Sequence, residues 1–185
     1  GSDEQSADKY GKSESEIECI RTNSIKSLQH IACEDRQLQH DGNWKGEIAL
    51  ITLKGDIDNL GAIFQQGLNN PTFAKMASLS RQVNTFFAMW LPWYCEHGKD
   101  SNGVARFRNT YTVFAGGDDF FLIGPWDSTL ALAGVLREKF AAYVVNESIT
   151  FSAGLVMTHP KTPIRNLAHA AEDALDAAKA RPGKN

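Results

Sequence analysis

The stretch VFAGGDDFFLIG, residues 113–124, constrains the fold more than any other part of the chain. Apolar runs flank Gly-Gly-Asp-Asp, and each run is long enough to form a strand. Glycines at such a junction allow positive φ values and favour a tight hairpin turn. The pattern therefore predicts two antiparallel strands, at 110–115 and 120–124, with Asp118 and Asp119 at their junction.

The other apolar patterns of the chain predict alternating strands and helices. In chain order they are a strand at 47–53, a helix at 73–94, the hairpin, a helix that follows a cap at 125–128 and has its apolar stripe at 132–144, a strand at 148–157 and a helix from Thr162-Pro163. We expect Pro92 to kink or end the first helix. Asp127 and Ser128 are the expected N-caps of the second helix.

The order β-α-β-β-α-β plus a C-terminal helix predicts an α+β fold of the ferredoxin-like type, an antiparallel sheet with helices on one face. In that arrangement the strand that leads into Asp56 lies beside one strand of the hairpin. We expect this neighbour to be the strand that enters the turn. Asp56, Asp58, Asp118 and Asp119 would then converge at one edge of the sheet.

Converging carboxylates need a cation. Two unit charges about 4 Å apart repel by roughly 4 kcal/mol at an effective dielectric constant near 20. Carboxylate oxygens suit Mg²⁺ or Mn²⁺, which complete their coordination shells with water and phosphate oxygens. A GGDD string alone is more often a polar hairpin tip. Together with the earlier Asp-x-Asp it predicts a site for a metal-bound nucleoside triphosphate.

Composition limits the other functions. A net charge of −3 gives no general attraction to nucleic acid. The longest apolar run, at 86–95, is far short of the roughly 20 residues that cross a bilayer, so we predict no membrane span. Cys19, Cys33 and Cys95 are scattered, which favours a reducing compartment such as the cytoplasm over a disulfide framework. A structural zinc site is disfavoured because no tight cysteine pair is present.

The chain divides into three predicted parts. Residues 1–16 are polar and begin with Gly-Ser, which is typical of a tag remnant followed by a disordered segment. Residues 17–46 are expected to form a peripheral helical or irregular extension. Residues 47–185 would form one catalytic domain, and we interpret the whole as a fragment excised from a longer protein.

Five stretches together resemble a known family: GDIDNLGAIF, LSRQVNTFF, TVFAGGDDFFLIGPW, TFSAGL and AAEDALDAAKARPGKN. They are similar to the second palm domain of the large polymerase-like subunit of type III CRISPR effector complexes, especially type III-A. The resemblance covers about residues 47–185. It implies synthesis of cyclic oligoadenylates from ATP by two palms, switched on when the complex with its guide RNA binds target RNA.

The resemblance also implies roles for individual residues. Asp56 and Asp118 match the ligands of two Mg²⁺ or Mn²⁺ ions, with the Ile57 carbonyl as an additional ligand. Asp119 is the second acidic residue of the turn, counted with the metal ligands, and Asp58 is a supporting carboxylate. The expected contacts to the nucleotide come from Asn59, Leu60, Gly61, Gly116, Gly117, Lys179 and Lys184.

Simpler interpretations of these residues stay open. Asn59, Leu60 and Gly61 could form an ordinary strand-to-helix turn. Lys179 could stabilise the helix C-terminus, where cations are favourable. Ser152 is expected to contribute packing only.

Two alternative functions remain. Related GGDEF diguanylate cyclases share the palm fold, but here Asp119 replaces their glutamate and the Phe-Lys pair that usually follows Asp-x-Asp is absent. A non-catalytic palm that serves as a scaffold in a ribonucleoprotein is the other. No HD motif appears, so the sequence does not assign deoxyribonuclease activity to this chain.

Overall fold

A computed structural model describes residues 8–11, 25–58, 60–62, 72–100, 102–144 and 149–181. Its strands are β1 (Gln37–Leu38), β2 (Trp44–Lys45), β3 (Leu50–Ile57), β4 (Tyr111–Gly116), β5 (Asp119–Pro125) and β6 (Phe151–Thr158). β1 and β2 form a small hairpin. The other strands form one antiparallel sheet in the order β4-β5-β3-β6.

The helices are α1 (Leu28–Ala32), α2 (Leu60–Ala62), α3 (Phe73–Thr85), α4 (Leu91–His97), α5 (Trp126–Val144) and α6 (Ile164–Lys179). A π-helical segment, Phe86–Trp90, joins α3 to α4. The helical path continues through Pro92, which lies in the first turn of α4. The wider turn before it accommodates a residue that lacks an N–H group, so Pro92 does not end the helix.

One face of the main sheet packs against the helical path α3-π-α4 and against α5. Aromatic rings dominate this core: Phe87 contacts the rings of Phe120 and Phe140 at centroid distances of 5.0 and 5.5 Å. The buried side chains around them are Ile51, Leu53, Ile57, Val83, Phe86, Leu91, Leu122, Leu132 and Leu136. This aromatic core is the main apolar layer of the domain.

The opposite face packs against α6 and α1, and Ile31, Leu50, Ile123 and Leu167 form its smaller apolar cluster. Gly154 of β6 lies directly under α6. A Cβ atom at Gly154 would stand 2.3 Å from the backbone nitrogen of Leu175, so only glycine allows this approach. The α+β class and ferredoxin-like order are confirmed. The two crossover helices share one face as expected, whereas the C-terminal helix covers the other.

The identity of the central hairpin strand corrects the sequence prediction. The strand that leaves the turn, β5, lies beside β3, and the entering strand β4 is at the edge. The apolar pattern of the hairpin cannot show which strand lies beside β3, because both strands are apolar. The crossover connection through α3 decides which strand takes that place. β3 also runs further than 47–53, through Gly55 to Ile57, so that Asp56 is part of the hydrogen-bonded ladder.

The start of α5 is a second correction. The helix begins at Trp126 and has Asp127 and Ser128 inside its first turn. The cap is Asp35, whose Oδ2 accepts hydrogen bonds from the backbone N–H groups of Asp127 and Ser128, both at 2.8 Å. A carboxylate from a distant segment thus satisfies the N–H groups that begin the helix.

The N-terminal region is linked to the domain at several points. Lys9 and Tyr10, within the segment predicted to be disordered, donate hydrogen bonds to the Glu34 carboxylate at 2.6 and 2.7 Å. Cys33 and Cys95 are buried thiols, whereas Cys19 lies outside the described residues. Within the described ranges, no helix is long and apolar enough to cross a membrane. The three-part division of the chain stays a prediction.

Candidate active site

The register of the central strands places two aspartates opposite each other. Asp56 of β3 is the Cα partner of Asp119 of β5. The backbone N–H of Ile57 donates to the carbonyl oxygen of Asp118 at 2.9 Å, which extends the pairing into the turn. Asp118 is exposed, and Asp56 and Asp119 are partly buried. Three of the four predicted aspartates therefore lie together at one end of the sheet.

The electrostatics of Asp119 reflect this crowding. Burial raises the pKa of its carboxyl group, and the negative charges of Asp118 and Asp56 raise it further, while Lys54 acts in the opposite direction. Like charges disfavour the ionised form of a carboxyl group. A cation between these side chains would relieve the repulsion, which is the electrostatic condition for a metal site.

Two lysines bring positive charge to the same face of the sheet. Lys179, in the last turn of α6, forms an ion pair with Asp56, and Lys54 of β3 forms one with Glu172 of α6. The Lys179 and Asp56 side chains are 34% and 25% exposed, so water still reaches the pair. The structure thus pairs Lys179 with Asp56 at the end of its helix.

Asp58 has a different environment. It is buried, and its Oδ1 and Oδ2 accept hydrogen bonds from the hydroxyl groups of Ser152 and Thr150 at 2.6 and 2.9 Å. Its backbone N–H donates to the Thr150 carbonyl at 2.8 Å. Asp58 therefore ties the end of β3 to the start of β6, which agrees with a supporting carboxylate better than with a metal ligand.

Two hydroxyl residues and one amide at the site were missed by sequence reasoning. Ser152 holds Asp58 in addition to packing, and the Thr-Phe-Ser alternation at 150–152, where the chain enters β6, was the available signal, because it predicts both hydroxyls on one face. Asn84 accepts a hydrogen bond from the Gly117 N–H at 2.8 Å. No sequence pattern links these two residues, which lie 33 positions apart.

The predicted nucleotide contacts are only partly described. Asn59 and Lys184 lie outside the described residues. Leu60 packs against the aromatic core, while Gly61 is exposed and has no atom near the position of an added Cβ. Gly117 has a φ of 66° at the tip of the turn, which favours glycine there. Contacts of all these residues with a nucleotide stay predictions.

The donor set fits a hard divalent cation. The carboxylates of Asp56, Asp118 and Asp119 and the Ile57 carbonyl are oxygen donors of the type that Mg²⁺ and Mn²⁺ take. Among the described residues no group of three or more acidic, histidine or cysteine side chains is already arranged around a metal position. At nucleotide sites Mg²⁺ usually completes its shell with water and phosphate oxygens.

Comparison with known proteins identifies the family of this domain. The family model for the Cas10/Cmr2 second palm domain matches residues 49–185. A relative from Methanocaldococcus jannaschii, named as the CRISPR system single-strand-specific deoxyribonuclease Cas10/Csm1 (subtype III-A), is 39% identical over 132 residues. That match covers 69% of this chain and 16% of the relative.

Solved structures of a Csm1-Csm4 cassette are similar as well. The complex with AMPPNP aligns with a TM-score of 0.70 and 26% identity, over 87% of this chain and 22% of that one. The complex with cA3 gives the same score and identity over 85% of this chain. The chain spans less than a quarter of the length of these relatives. It belongs to the Cas10/Cmr2 family, as a second palm domain.

Proposed function

We propose that this palm binds ATP with two Mg²⁺ or Mn²⁺ ions and, together with a second palm domain, synthesises cyclic oligoadenylates in a cytoplasmic type III CRISPR complex. The observation that carries the proposal is the pairing of Asp56 with Asp119, next to Asp118, with mutual repulsion that a cation would relieve. Similar Csm1-Csm4 cassettes in complex with AMPPNP and with cA3 support an adenine nucleotide as the ligand.

Each described residue of the site has a defined task in this proposal. Asp56, Asp118 and Asp119, with the Ile57 carbonyl, would hold the ions. When bound, such ions promote attack of a ribose 3′-hydroxyl on an α-phosphate and stabilise the departing pyrophosphate. Asp58 fixes the end of β3 through its hydroxyl partners.

The phosphate contacts combine structure and resemblance. Lys179 forms an ion pair with Asp56, which supports a contact between its ammonium group and a triphosphate bound through the same carboxylates. Lys184 and the Asn59-Leu60-Gly61 loop are assigned by resemblance alone. The glycines at 116 and 117 leave the turn backbone open to a bulky ligand.

The partners follow from the family. A second palm would supply the other ATP, and the remaining subunits would deliver guide and target RNA. The name of the relative from M. jannaschii includes deoxyribonuclease activity. This activity is not part of the proposal because the chain spans only 16% of that protein.

The test uses the parent complex with target RNA, incubated with ATP or GTP and Mg²⁺ or Mn²⁺, with products identified by mass spectrometry. We expect adenylate rings, and a decrease of roughly 100-fold or more after the joint substitutions Asp118→Ala and Asp119→Ala, the scale for losing electrostatic stabilisation of a transition state. Asp173→Ala, at an exposed position of α6, is the control.

Three outcomes would contradict the proposal. Cyclic guanylate without cyclic adenylate would favour the diguanylate cyclase. Full ring synthesis by the doubly substituted complex would mean that the site is elsewhere. A complex that assembles on target RNA and produces no rings would favour the scaffold.

A further inference from the structure

The last turn of α3 contacts the glycine turn directly. β4 ends at Gly116 and β5 begins at Asp119, so the Gly117 N–H lies outside the strand ladder. Its acceptor is the side-chain Oδ1 of Asn84, at 2.8 Å. This hydrogen bond joins a helix of the aromatic face to the two-residue tip between the strands.

The local helix geometry supports this contact. Asn84 and Ala88 stand one helical turn apart, and a Cβ atom added at Gly116 would lie 3.5 Å from Asn84 Oδ1 and 3.9 Å from Ala88 Cβ. Phe86 and Phe87, between them, are buried in the aromatic core. The π-helical segment starts two residues after Asn84, and such segments are frequent at functional sites.

The chemical nature of Asn84 suits its position. The turn it contacts carries Asp118 and continues into Asp119, whose carboxylates already repel each other. A carboxamide oxygen accepts the Gly117 N–H without adding negative charge. An aspartate at this position would accept the same bond and add another charge beside the site.

We propose that Asn84 is a positioning residue, which holds the Gly116-Gly117 turn so that Asp118 and Asp119 keep the spacing that a divalent cation needs. The inference rests on the proposed metal-dependent function. In this proposal Asn84 acts through the backbone of the turn and contacts neither the ion nor the nucleotide.

The main test compares Asn84→Ala with Gln82→Ala in this chain. Gln82 is an exposed amide on the same helix, and its backbone carbonyl, not its side chain, accepts the hydrogen bond from Tyr143. Mn²⁺ binding is followed by electron paramagnetic resonance, and exchange of the Gly117 amide hydrogen by NMR. Asn84→Ala should weaken Mn²⁺ binding about fivefold, the scale of one neutral hydrogen bond, and speed Gly117 exchange. Gln82→Ala should change neither.

A second variant distinguishes an effect on the position of the glycine turn from an effect on the stability of the fold. Asn84→Asp keeps an acceptor for Gly117, so slow amide exchange should return, and Mn²⁺ should bind at least as tightly as in the wild type. A lower melting temperature of Asn84→Ala with unchanged Mn²⁺ affinity and unchanged Gly117 exchange would overturn the inference.

Failure of the inference is distinguishable from failure of the proposed function. A wild-type chain that does not bind Mn²⁺, in a complex that makes no rings, contradicts the metal-dependent function and with it the role of Asn84. Wild-type Mn²⁺ binding with an unaffected Asn84→Ala variant contradicts the inference alone. In an active complex, Asn84→Ala should lower kcat for ring synthesis more than it raises KM for ATP.

Discussion

The two faces of the main sheet differ in what they contribute. On one face Phe86, Phe87, Phe120 and Phe140 pack into a buried aromatic core. On the other face lie Asp56 of β3 and Asp119 of β5. The residues of α6 that form ion pairs with β3 there are Glu172 and Lys179. The larger apolar core therefore lies on one face, whereas the other face combines a smaller apolar cluster with the charged groups, although both faces share the same strands.

The largest expected effect is on the aromatic face. Phe87 is fully buried and contacts four other rings, so Phe87→Ala should lower the free energy of unfolding by about 3–5 kcal/mol. Urea denaturation measures this change. Met89→Ala on the π-helical segment, where the side chain is 68% exposed, should stay within about 0.5 kcal/mol. Equal losses for the two variants would contradict the burial of Phe87 in the aromatic core.

The next effect concerns the fit of α6 on the charged face. A Cβ atom at Gly154 would lie 2.3 to 2.8 Å from backbone atoms of Leu175, Ala174 and Ala171. Backbone atoms cannot relieve such a clash by a change of rotamer, as the end of a flexible side chain can. Gly154→Ala should therefore cost about 3 kcal/mol of unfolding free energy. Gly134→Ala in α5, with no atom within 4 Å of the new methyl group, should instead stabilise by about 0.5–1 kcal/mol. An unchanged melting temperature for Gly154→Ala would show that α6 does not pack on β6 in this way.

A smaller effect, of opposite sign, is expected at Asp119. Burial, then Asp118 and Asp56, raise the pKa of its carboxyl group, so the folded state binds this proton more tightly than the unfolded state. The free energy of unfolding must then fall as the pH rises through the raised pKa. Asp119→Asn should be slightly more stable than the wild type at neutral pH, and the advantage should vanish in acid.

Denaturation curves across the acidic and neutral range, without metal, measure that difference. Asp173→Asn, at an exposed position on α6, serves as the control and should show no such pH-dependent advantage. A less stable Asp119→Asn at neutral pH would mean that attraction to lysines outweighs repulsion between the carboxylates.

The smallest stability effect is expected for the lysines. The pairs of Lys179 with Asp56 and of Lys54 with Glu172 are partly exposed, so Lys179→Met and Lys54→Met should each cost less than about 1 kcal/mol. Their effects on ligand binding should differ. Calorimetric titration with ATP and Mg²⁺ should show a larger loss of affinity for Lys179→Met, because Lys179 forms its ion pair with a proposed metal ligand, whereas Lys54 forms its ion pair with Glu172. Equal losses would contradict a specific phosphate contact.

Much of the fold was predictable because its signals are local. The helical spacing of Val83, Phe87 and Leu91 and the apolar run of β3 reflect burial on a regular geometry. The turn was predictable from its glycines, and its aspartates from their place next to strands. What could not be predicted were the partners of those residues, such as Asp35 at the start of α5.

The sequence by itself determined which residues are the candidates for the proposed chemistry: the Asp-x-Asp at 56–58, the Gly-Gly-Asp-Asp turn and a lysine at the end of the last helix. The tertiary structure decided where each of these residues lies and what it contacts. It set β5 rather than β4 beside β3, turned Asp58 towards Ser152, and joined Asn84 to Gly117. Side-chain identity and the spacing of apolar residues are local properties of a chain. Strand order and hydrogen-bond partners depend on how distant elements pack.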